Sequence, residues 1–169
     1  MTELEFLLEA MRRNARVNQY LLDHLTDADL ALSYGKGGMT VAHMLSHMGV
    51  SRGGWLAEMS PDYFASSEAL AGGTFIWAWH TTDREAIRAM FRAGDEAAVQ
   101  AVEAHLASGE PFADPHGVGT YPSSPAFFLL QNIVHDSHHR GQILALLRQS
   151  GRSQEQLDRL EEHWDIWRE

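Results

Sequence analysis

Leu4, Leu7, Leu8, Met11, Asn18, Leu21, Leu22 and Leu25 recur at three- and four-residue spacing. That period places them on one side of a helix and predicts an amphipathic element over residues 3–25. Thr2, with Glu5 three positions later, has the sequence of a capping box at its start. The run Thr26–Asp29 and the glycines Gly35, Gly37 and Gly38 then interrupt the pattern. Thr40 is the next candidate cap, and Val41, Met44, Leu45, Met48, Trp55, Leu56 and Met59 make one stripe to residue 59. Gly49, Gly53 and Gly54 weaken the second half of that helix. Their lack of side chains lets a neighbour pack closely there.

Residues 60–81 are mixed. Ser60-Pro61, Ser66-Ser67 and Gly72-Gly73 flank the aromatic group Phe75, Trp77 and Trp79. This reads as a connection packed on the rest of the molecule and containing one short helix. Thr82 with Glu85 is a second capping-box pair, followed by Ile87, Met90, Gly94, Ala98, Ala101 and His105 on one face. Pro111, Pro115, Gly117, Gly119 and Pro122 mark 109–124 as loop. Ser124 and Pro125 are a cap and first-turn pair that opens a helix over 125–149. Ser153, with Gln156 at the capping-box position, begins a last short helix whose stripe is Leu157, Leu160, Trp164 and Trp167. No segment alternates as a strand would. The expected fold is an all-α four-helix bundle with a short extra C-terminal helix, one domain over 1–169.

Composition narrows the function. At 169 residues and 44% hydrophobic the chain is of ordinary globular type. No apolar run reaches the ~20 residues of a membrane span, and the acidic start lacks the basic region of a signal peptide. Thirteen Lys+Arg against 23 Asp+Glu leave a net charge of −10. Nucleic acid is therefore an unlooked-for partner, since phosphate backbones demand several aligned cations. There is no cysteine. That excludes disulfides, thiolate zinc sites and a cysteine nucleophile, and it fits a cytoplasmic location.

Ten histidines stand out. His135 and His139 are four apart, about 40° around a helix axis, so both rings project to one side. Two imidazoles so placed are able to grip one metal ion; equally, each is able to sit in the core with an ordinary hydrogen-bond partner. The second long helix carries His43 and His47, also four apart. Counting from Val41, His47 falls near about 240°, at the border of the apolar stripe, and His43 near about 200°, further toward solvent. His47 is thus the one expected to look inward, with His43 at the surface or behind a ligand. No glutamate precedes a histidine by three positions and no His-Glu-x-x-His occurs, so the bundle di-iron and common zinc-protease patterns are absent. The only glycine-dense segment, Gly35-Lys36-Gly37-Gly38, lies between helices and lacks the spacing of a phosphate-binding loop, so no organic cofactor is expected.

The segment Thr40–Met48 with Trp55, and above all the run His135-Asp136-Ser137-His138-His139-Arg140-Gly141-Gln142, resemble the DinB-like family of bacterial four-helix bundles. The resemblance covers the whole chain. It implies an up-down-down-up bundle with a long second crossover, here residues 60–81, and a divalent metal ion held by His47, His135 and His139. It also implies kinship with metal-dependent transferases that use low-molecular-weight thiols. Zinc or nickel are the leading ions, with manganese or iron next, because imidazole serves all of them. Two functions follow: a thiol S-transferase or hydrolase acting on a small molecule, or a non-catalytic metal-binding bundle of a stress response. No catalytic acid or base is assigned. Asp136 and Arg140 are expected to pair on the helix surface, His138 to line the mouth of the site, and Gln142 to fix helix contacts. Metal affinity is expected to fall once pH drops below about 6.5, where free histidine takes up its proton. The aromatic groups Trp164/Trp167 and Phe75/Trp77/Trp79 suggest a homodimer contact.

Overall fold

In a computed structural model, residues 2–35, 37–115, 117 and 123–169 are described. Lys36 and, within the 109–124 loop, Gly119 and Pro122 lie outside them. Four long helices carry the architecture: α1 (Glu3–His24), α3 (Val41–Met59), α5 (Arg84–Ser108) and α6 (Pro125–Gln149). Short α2 (Asp27–Leu30), α4 (Ala65–Ala71) and α7 (Gln154–Glu161) fill the connections and the C-terminus. The fold is all-α.

Two core clusters reveal the direction of each helix. One joins Leu8 and Met11 of α1, Leu56 and Met59 of α3, Ala98 and Val102 of α5, and Phe128 and Leu129 of α6. The other joins Leu21 and Leu22, Val41 and Leu45, Ile87 and Phe91, and Ile143 and Leu147. So α1 and α6 run one way while α3 and α5 run the other, an up-down-down-up order. Because α3 and α5 are parallel, the chain must return the full length of the bundle between them. Residues 60–83 do this through a 3-10 turn at Pro61–Tyr63, then α4, then a second turn at Ile76–Ala78.

That return is pressed hard onto α3. A Cβ on Gly53 would lie 2.6 Å from Ser67 Cβ. At Gly54 the added atom would come within 2.5 Å of the Trp77 indole. The expected close approach is thus real: the crossover occupies it at Gly53 and Gly54, and Met90 of α5 at Gly49. Trp77 and Trp79 pack with Val50, Ile76 and Met90, and Trp77 meets Trp55 edge-on at 5.5 Å. They are therefore mostly committed within the chain, whereas Phe75 is 72% exposed.

Helix starts follow local hydrogen bonding. Capping boxes form at Thr2/Glu5 and Ser153/Gln156 as the pattern predicts. At α5 the cap is Asp83, not Thr82: its carboxylate accepts from the N–H groups of Glu85 and Ala86. An ionised oxygen beside a helix N-terminus is a better acceptor than a hydroxyl one residue earlier. Ser124 occupies the cap position of α6 without a side-chain bond. Thr26–Asp29, read as a breaker, is a capping box that makes the single turn of α2. Asp29 also pairs with Arg152, which ties α2 to the segment before α7. Beyond Glu161 the last helix tightens into a 3-10 segment, Glu162–Trp167. It folds back on α1: Arg13 donates to the Ile166 carbonyl at 3.1 Å and Tyr20 to that of Arg159 at 2.7 Å.

Candidate metal centre

His135 and His139 sit one turn apart on the side of α6 that faces α3, and His47 meets them from α3. The three rings form a triangle with centroids 5.0, 5.0 and 4.6 Å apart. One nitrogen from each lies within 4.8 Å of the others, and all three residues are half-buried. His47 Nε2 and His135 Nε2 approach to 3.1 Å. Tetrahedral zinc with Zn–N near 2.0–2.1 Å needs its nitrogens about 3.4 Å apart. The pair is within a few tenths of an ångström of that spacing.

The outer nitrogens strengthen the fit. His139 Nδ1 is 2.8 Å from Gln142 Oε1, and since an amide oxygen only accepts, that nitrogen carries the proton. Its Nε2 is left as the free ligand. His135 Nδ1 is buried without a hydrogen-bond partner among the described residues, and Asp136 Oδ1 stands 3.6 Å away. A ligating imidazole usually offers its second N–H to a carboxylate, and a slight closure would make that bond here. Burial, and then repulsion from His135 and His139, push His47 down to about 4. Burial and His135 also lower His139. Both imidazoles are thus held neutral, the form that binds metal.

Behind the triangle lies a buried charge network that joins all four long helices. Arg52 of α3 is fully buried. Its Nε donates to Asp95 of α5 at 2.7 Å, and its two terminal nitrogens both donate to Asp136 of α6. From α1, Asn14 and Asn18 each donate to Asp136 Oδ2 at 2.6 Å. Their carbonyl oxygens accept from Arg140 at 2.9 and 2.5 Å. Burial alone would raise Asp136, but Arg52 and these hydrogen bonds hold it well below the usual carboxylate range. The expected surface pair of Asp136 with Arg140 does not form. Both are buried, and the two asparagines stand between them.

The DinB family model matches residues 1–169. The chain belongs to the DinB family. Among solved structures, a DinB-like protein from Bacillus cereus ATCC 10987 is similar to it, with 23% identity and a TM-score of 0.60. The match covers 88% of this chain and 93% of that one, and it supports the DinB fold. No curated protein matches.

Within this DinB chain the three histidines singled out from the sequence come together, and His43 does not join them. Its ring instead stacks on His80 of the crossover at 4.8 Å. His138 is exposed, its ring 5.2 Å from that of His139. Sequence reasoning missed Arg52, Asp95 and the asparagines as a unit. The available signals were Asn14 and Asn18 four apart on the apolar face of α1, and an arginine in the otherwise uncharged stretch 44–57 of α3.

Proposed function

We propose that this DinB protein is a metal-dependent enzyme acting on a small molecule, a thiol S-transferase or a hydrolase, through one divalent ion on His47, His135 and His139. The carrying observation is that three imidazoles converge, and among the described residues no carboxylate or thiolate joins the cluster as a fourth ligand. A structural zinc is almost always closed by four protein ligands, whereas three leave a place for a reactant. Zinc or nickel are the ions favoured, then manganese or iron. Bound there, the ion supplies Lewis acidity that lowers the pKa of a thiol or water.

The chain's own residues prepare the site. Gln142 fixes the tautomer of His139, and the buried Asp136 faces the second nitrogen of His135. With no cysteine in the chain, a thiol nucleophile comes from a low-molecular-weight cosubstrate. The proposal includes a cytoplasmic location, supported by the absence of any described helix long and apolar enough to cross a membrane. Metal analysis of the purified chain is the test. Each of His47→Ala, His135→Ala and His139→Ala should lose the ion, while His43→Ala keeps it. Thiol transfer or hydrolysis should stop with a chelator and return with zinc, nickel or manganese. Turnover by a demonstrably metal-free sample overturns the mechanism. A chain that binds the ion yet turns over neither class is the non-catalytic bundle instead.

A further inference from the structure

A groove of about 720 Å³ runs between α1 and α5, on the side of the bundle away from the α3–α6 histidines. Its size falls in the range of small-molecule sites, about 300–1,000 Å³. Met11, Ala15, Val99 and Ile166 give it apolar walls, and Asp95 lies in its lining. Asp95 is only 9% exposed. One of its oxygens, Oδ1, accepts from Arg52 Nε; Oδ2 has no hydrogen-bond partner among the described residues. Arg52 gives this carboxylate one N–H and gives Asp136 two. The shared guanidinium therefore compensates Asp95 less completely. Burial accordingly pushes Asp95 up to about 6 despite Arg52, with Asp136 adding to the rise.

The rim charges do not supply the missing partner. Arg16 is engaged with Glu169 at 2.6 Å and Asp23 with Arg88 at 2.7 Å. Arg12 faces Glu103 at 4.0 Å. Arg92 and Glu96 are both exposed and opposite in sign. What remains is an apolar trough with one under-compensated carboxylate oxygen, on a residue that is itself nearly buried. An anion would meet that oxygen unfavourably, and a neutral apolar body would leave it desolvated without a bond. We propose that the groove is a second ligand site, taking a small organic cation whose ammonium group docks on Asp95 Oδ2 while its apolar body lies between Met11, Ala15, Val99 and Ile166.

Benzylamine, as its ammonium, is a suitable probe, with benzyl alcohol and benzoate as neutral and anionic counterparts. Amide NMR shifts of the full chain read the site directly. Benzylamine should move the signals of Ala15, Asp95, Val99 and Ile166, at least ~10-fold more tightly than benzyl alcohol, the ratio expected of a charge-assisted bond. Asp95→Asn keeps an acceptor for Arg52 and should erase that preference. Ala15→Phe fills the trough from α1 without replacing any member of the charge network, and should abolish binding without altering metal content. Equal binding of amine and alcohol, tighter binding of benzoate, or amine binding undiminished in Ala15→Phe would overturn the proposal, as would the absence of shifts with all three probes. Should Asp95→Asn fail to fold, the probe series and Ala15→Phe decide the matter.

Discussion

At the scale of single residues, Arg52 is the side chain with most at stake. It is fully buried, and two carboxylates from two other helices depend on it. Replacing it by methionine keeps much of the volume but strands both acids, a loss of about 3–5 kcal/mol on the pattern of broken buried ion pairs. Urea unfolding of Arg52→Met measures this, and a loss under about 1 kcal/mol would mean that the acids find other partners. A second prediction concerns protons. His47 and His139 are both depressed from 6.5, His47 to about 4. A depressed histidine stays neutral as pH falls through 6.5, so protons compete with the metal at these two positions only at lower pH. The window is therefore below the one expected from ordinary histidine. In an NMR titration of the metal-free chain the His47 ring should still be neutral at about pH 5.5 and take up its proton on approach to about 4. Complete protonation of His47 by pH 6 would contradict the shift.

At the scale of elements, the helix glycines divide by what faces them. An alanine methyl at Gly54 meets the Trp77 ring. Gly54→Ala should cost about 1–3 kcal/mol by overpacking and loosen the crossover from α3. At Gly141, inside α6, an added Cβ meets nothing within 4 Å. Gly141→Ala should instead stabilise by about 0.5–1 kcal/mol through helix propensity. Thermal melts of the two variants should move in opposite directions; a rise in both would show that helix propensity, not the crossover, governs Gly54 as well.

Elements were the level most readable in the sequence. A three-four period and a capping residue are local, so the bounds of α1, α3 and α6 follow from a few neighbouring positions. The His135/His139 pair is readable for the same reason, being one turn of one helix. Other features depend on distant chain. The end of the crossover is held where Ser46 of α3 exchanges hydrogen bonds with Thr81, 35 residues on. Asp136 ignores Arg140, four residues away, because Arg52 reaches it from 84 residues away. Long-range electrostatics of that kind leaves no period to read.

At the scale of the whole molecule, the apolar surface most open to another chain lies on α6, not at the aromatic groups. Trp77 and Trp79 pack largely within the chain, and the C-terminal segment folds on α1, leaving Trp164 56% exposed. The longer apolar stripe is on α6, where Phe127 and Val134 are 66% and 67% exposed with Leu130 between them. We propose that this stripe is a homodimer contact, since exposed apolar patches tend to mark interfaces. Light scattering should then give twice the chain mass of 18.9 kDa, and Val134→Lys should return it to that mass. A wild-type mass of one chain at micromolar concentration excludes the dimer.

The network behind the histidines has a consequence for how this sequence is able to diverge. Asn14, Asn18, Arg52, Asp95, Asp136 and Arg140 come from four helices, yet each satisfies a neighbour that water does not reach. A lone substitution at Arg52 or Asp136 strands a charge, so such changes are viable mainly in company, with coupling energies of about 0.5–3 kcal/mol between members. Descendants of this gene should accordingly keep the set or replace Arg52 together with Asp136. The three clustered histidines share helices with that set, and Asp136 is directly beside His135. A lineage that loses the proposed ion is thus still free to retain the arginine and its acids, as a fossil of the centre they once backed.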